Sequence, residues 1–124
     1  MDTEIDLFVQ AFWVKCRETI RPAFDAAIDQ LRAAGHDAHV ATLEFSPDQA
    51  TSADAAPAIV LTVHAQGSAA SVALHIRGDV AAREVTAVSA LETPRRYDLA
   101  EIDVVVVKRE LAATFPTLLA ANSF

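Results

Sequence analysis

A chain of 124 residues, 52% of them hydrophobic, has the length of one domain and can bury about two-thirds of its unfolded surface, so it needs neither disulfides nor a metal to fold. Its 17 acids against 10 Lys and Arg give a net charge of −7 with no basic stripe, which argues against binding nucleic acid and disfavours an anionic membrane surface. Cys16 stands alone, which excludes an internal disulfide and a thiolate zinc site.

The acidity is uneven. Residues 36–57 carry Asp37, Glu44, Asp48 and Asp54 with no Lys or Arg, whereas residues 58–91 balance two acids against two bases. A basic protein partner would be steered towards residues 36–57. The start, Met1-Asp2-Thr3-Glu4, is acidic where a signal peptide is basic. The longest apolar run is far short of the roughly 20 residues that cross a bilayer. The expectation is a cytoplasmic protein.

Ile5, Phe8, Val9, Phe12, Cys16, Ile20, Phe24, Ala27, Ile28 and Leu31 recur at spacings of three and four, one face of a helix closed by Gly35. Pro22 interrupts the ladder without changing the phase of the stripe, which predicts one kinked helix rather than two. His39 to Phe45 alternates as a half-buried strand, with Ala41, Leu43 and Phe45 expected inward and Val40, Thr42 and Glu44 outward. Residues 46–57 are small and polar, with a proline near each end, and read as a loop.

The next two runs specify a hairpin. If Gly67 and Ser68 form a two-residue type II′ turn, Ile59, Leu61, Val63 and Ala65 fall opposite Ile76, Leu74, Val72 and Ala70. A slip of one residue would destroy that agreement. Arg83 to Leu91 predicts a fourth strand, with Val85, Ala87, Ser89 and Leu91 inward because the other register would bury Glu84. Residues 92–96 read as a polar connection. Ile102 and Val104 to Val107 are β-branched and suit a strand, whereas Asp98 and Glu101 have capping-box spacing and Lys108 to Thr114 suits a helix. The reading taken is a helix from Leu99 to Thr114, stopped by Pro116, with a short turn at Leu118 and Leu119. The fold class is α+β: a single domain in the order α-β-β-β-β-α, with a four-stranded meander covered on one face by two helices.

No residue set converges on chemistry. His36 and His39 flank Asp37 at a helix-to-strand junction, and a polar turn explains them. His64 and His75 share the outer sheet face but stand four positions apart along it, about 13 Å, too far to share a metal. Cys16 lies on the apolar stripe, where a thiol is inert. Ser68 lacks the setting of a nucleophile elbow. Arg95-Arg96 beside Tyr97 has the donors to grip a carboxylate or phosphate, against the plainer reading of a solvated pair. No metal and no cofactor is expected.

The outer sheet face is the more informative surface. Val40, Thr42, Glu44, Val60, Thr62, His64, Ser71, Ala73, His75, Thr86 and Val88 should line it, a mixture less charged than a face left to water. Leu7, Ala11 and Val14 form a second, narrow strip on the first helix. In size, acidity and α/β plan the chain is similar to the small dimeric chaperones of bacterial secretion systems. Their helix within the strand series has no clear counterpart between Val72 and Leu91, so no residue is carried over from them. The expectation is a non-enzymatic protein-interaction module, an adaptor, chaperone or inhibitor of another protein, acting as a homodimer. The alternative is a ligand-binding or catalytic domain using His64, His75 and Arg77 on the outer face.

Overall fold

The computed structural model describes residues 3–43, 56–67, 71–80, 82–89 and 92–115. These form helix α1 (Thr3–Lys15), a π turn (Cys16–Ile20), helix α2 (Arg21–Ala33), strands β1 (Asp37–Leu43), β2 (Ala58–His64), β3 (Ser71–Asp79), β4 (Glu84–Ser89) and β5 (Glu92–Asp98), a 3-10 turn (Leu99–Glu101) and helix α3 (Val104–Thr114). The strands pair antiparallel in chain order, β1-β2-β3-β4-β5, with the helices on one side. The architecture is α+β as expected, with five strands rather than four.

The helical path runs unbroken from Thr3 to Ala33, with a π turn immediately before Arg21 and Pro22. The sequence explains why it is there. Phe8, Phe12, Cys16, Ile20 and Phe24 recur every four residues and all are buried. In a helix of 3.6 residues per turn each such step overshoots by about 40°, so four steps would rotate Phe24 about 160° away from Phe8. The wider turn, in which the Arg21 N–H donates to the Cys16 carbonyl, takes back part of that drift. Pro22, which has no N–H to offer, follows at once in the first turn of α2. Trp13 packs at the edge of this stripe, its ring edge-on to Phe12 at 5.3 Å between centroids.

Gly35 ends α2 with φ +93°, a conformation costly to any side chain. The Gly35 N–H donates to Arg32 O and the His36 N–H to Leu31 O, the paired bonds of a Schellman motif.

The hairpin β2–β3 has the expected register, Ile59 on Ile76, Leu61 on Leu74 and Val63 on Val72. Gly67 has φ +80°, and Ser68 lies outside the described residues. In β4, Val85 and Ala87 face Gly78 and Ile76 on the inner face, and Ser89 faces Leu74. Leu91 lies outside the described residues.

Three expectations need correction. β1 has the opposite facing: Ala38, Val40 and Thr42 pair with the inward Val63, Leu61 and Ile59, so Ala41 and Leu43 are on the helix-free side. Ala38 is fully buried, Val40 packs against the core and Leu43 is 47% exposed. Phe45 lies outside the described residues. The polar segment after β4 is a strand, not a connection. The helix expected from Leu99 is divided: the Asp98/Glu101 capping box closes a single 3-10 turn, and Asp103 caps α3 afresh by accepting from the Val106 N–H at 2.9 Å. Buried Ile102 lies between the two. α3 stops at Thr114, two residues before Pro116; Leu118 and Leu119 lie outside the described residues.

Candidate interaction surfaces

β5 is held by an internal ion pair. Its inward side chains, Arg95 and Tyr97, stand opposite Ala87 and Val85. Both reach Glu110 of α3, which is only 2% exposed. Arg95 Nε donates to both carboxylate oxygens at 2.7 and 2.9 Å, its Nη2 to one of them, and the Tyr97 hydroxyl donates at 2.5 Å. Burial alone would raise the Glu110 carboxyl, but these bonds and the charges of Arg95 and Arg109 outweigh it and hold it below its ordinary value. Arg95 and Tyr97 therefore do grip a carboxylate, and it is the chain's own. The sequence signal for this was Glu110 on the same helical face as Val107, Leu111 and Thr114.

The sheet face that no described helix covers, here the helix-free face, collects most of the expected residues. Val60, Thr62, His64, Ser71, Ala73, His75, Arg77, Thr86 and Val88 belong to it, as their pairings show. Val40 and Thr42 do not, because their pairing turns them to the helix side; His39, Ala41 and Leu43 take their places. Glu44 lies outside the described residues. One end of the face is charged: Arg96 bonds Asp79 Oδ2 at 2.6 Å and Glu84 Oε1 at 3.3 Å, offsetting the repulsion of two acids paired across β3 and β4. The centre is uncharged. There Val60 is only 8% exposed although no described helix covers it.

His75, on the central strand between Val60 and Val88, has a buried Nδ1 with no hydrogen-bond partner. Burial, helped by the charge of Arg77, lowers its pKa and keeps the ring neutral. His64 pairs with Ser71 towards one end of the same face, four positions from His75 along the strands. The face brings the two histidines to one side without bringing them together.

The other titratable candidates differ in their surroundings. His36 Nδ1 accepts from the Gln66 N–H at 2.9 Å and ties the end of α2 to the end of the hairpin. His39 is exposed on β1. Burial pushes the Cys16 thiol up to about 12, leaving almost no thiolate at neutral pH. Among the described residues no three His, Cys, Asp or Glu stand close enough to hold a metal ion.

Among the described residues, two clefts lie elsewhere. One, of about 620 Å³, is mostly apolar and runs between α1, the π turn and the 3-10 turn, walled by Ala11, Val14, Thr19, Leu99 and Ala100. It adjoins the strip expected on α1, where Leu7 is 60% and Val14 40% exposed. The other, of about 470 Å³, is polar and lies between α2 and β1.

No protein-family model matches the chain, and neither a curated protein nor a solved structure matches it significantly. Among the described residues no helix is long and apolar enough to cross a membrane.

Proposed function

We propose that the chain is a non-enzymatic, cytoplasmic protein-interaction module, an adaptor, chaperone or inhibitor of another protein, that works as a homodimer. The observation that carries this reading is the helix-free sheet face. Its centre, built from Thr62, Ala73, His75, Thr86 and Val88, is uncharged in a chain of net charge −7. A partner laid on it removes apolar surface from water and can supply the hydrogen-bond partner that the His75 Nδ1 lacks among the described residues. The acidity of the remaining surface favours a basic partner by electrostatic steering, and gives no attraction to nucleic acid.

The ligand-binding or catalytic alternative rests on His64, His75 and Arg77. It is the weaker reading, because the histidines are separated by about 13 Å and both clefts described above lie away from them.

A photo-crosslinking residue placed at Thr62 or Ala73, in cells that make the protein natively, tests the proposal. The same probe at Ala26, exposed on α2, is the control. A discrete crosslinked protein from the two sheet positions and not from Ala26 supports it. Crosslinks from Ala26 alone, or from no position, overturn it.

A further inference from the structure

β5 is attached to the sheet differently from the other strands. Among the described residues, each of β1 to β4 has at least one buried residue, whereas Thr93 to Asp98 have none. Of the hydrophobic side chains on β5 only Tyr97 packs against the core, and it is half-buried. The backbone pairing with β4 is interrupted by a register shift between Ala87 and Ser89. What fastens the strand is charge, on both faces. Inward, Arg95 and Tyr97 close on the Glu110 carboxylate; outward, Arg96 joins Asp79 and Glu84. The inward contact is the better shielded, because the Glu110 side chain is 3% exposed against 29% for Asp79 and 34% for Glu84.

We infer that β5 is an acid-released strap: protonation of Glu110 unfastens Arg95 and Tyr97, and the strand lifts from β4 while β1 to β4 and the helices stay folded. The neutral acid leaves the Arg95 guanidinium opposite Ala87 without a counter-charge. A guanidinium so placed gains by moving to water, and only the Tyr97 ring offers apolar burial to hold the strand back. Lifting it uncovers the backbone edge of β4, a place for another strand to pair. Three groups act on the carboxylate: Arg95 and Tyr97 from β5 and Arg109 from α3, which also bonds Tyr97. The buried residues of the other elements packed on α3 bring no charge. β3 and β4 present Leu74, Ile76, Val85 and Ala87, the π turn and α2 present Ile20, Phe24 and Ile28, and Cys16 stays an un-ionised thiol. Because those three groups hold Glu110 below its ordinary value, the strap is closed at neutral pH and opens as pH falls through the lower value.

Native-state amide hydrogen exchange of the full chain, in low urea and at neutral and acid pH, tests the strap. The β5 amides bonded to β4 should exchange through an opening that urea barely promotes, whereas β2 and β3 amides should need global unfolding. Corrected for intrinsic rates, β5 protection should fall about tenfold per pH unit once Glu110 titrates. Glu110→Gln should show that loss already at neutral pH and remove the acid step. Arg96→Gln, which breaks only the outward contact, should keep the acid step. Three results overturn the strap: β5 amides that share the urea dependence of β2 and β3 in acid, Glu110→Gln amides on β5 no faster than the parent's at neutral pH, or an acid step abolished by Arg96→Gln. If Glu110→Gln does not fold, the exchange of the parent in acid decides.

Discussion

Leu61 and Leu74 face each other across β2 and β3, and neither has any exposed surface. One residue along, Thr62 faces Ala73 on the opposite side of the sheet. Leu61→Ala or Leu74→Ala should each cost about 2–5 kcal/mol, from lost transfer energy and the cavity left behind. Thr62→Ala should stay within about 1 kcal/mol. Urea unfolding of the three variants checks the contrast, and a Thr62→Ala loss as large as that of Leu61→Ala would reverse the two faces.

That hairpin was readable in the sequence because two independent signals agreed. The alternation fixed which residues share a face, and Gly67 fixed the turn length. β4 followed from the cost of burying Glu84. β1 was misread because alternation reveals two faces but not which one is covered. Leu43 is larger than Ala38 and drew the inward assignment, yet Ala38 is the fully buried residue. The pairing with β2 decides the facing, and that is a tertiary fact. β5 escaped notice because its inward residues, Arg95 and Tyr97, are polar and satisfied by a carboxylate 13 to 15 positions away. No hydrophobic period marks such a strand. On the surface, the central residues of the helix-free face were legible from the hairpin, whereas the two edge strands that border it were not.

Glu110 sets the acid limb of stability. Its carboxyl is held below the ordinary 4.5, so the unfolded chain binds more protons there than the native one. The stabilisation is full above that ordinary value and is lost as pH falls through the lower native one. Glu110→Gln should cost about 2–4 kcal/mol at neutral pH, chiefly by removing the buried charge that Arg95 and Tyr97 bind. It should also flatten the decline of stability in acid. Urea midpoints across the acid range check both effects, and a variant as stable as the parent at neutral pH would show that the ion pair contributes little.

Cys16 should be silent towards thiol reagents. It is buried on the π turn and its pKa is pushed up to about 12 by desolvation. Labelling in native buffer should be no faster than global unfolding, and urea should release it. Rapid labelling of the folded protein would mean that the helix opens locally at the π turn.

The most direct test of the interaction surface is amide chemical-shift mapping of the labelled chain on addition of the protein captured by crosslinking. The helix-free face predicts shifts clustered at Thr62, Ala73, His75, Thr86 and Val88. Shifts confined instead to the apolar cleft at Ala11, Val14, Leu99 and Ala100 would contradict it.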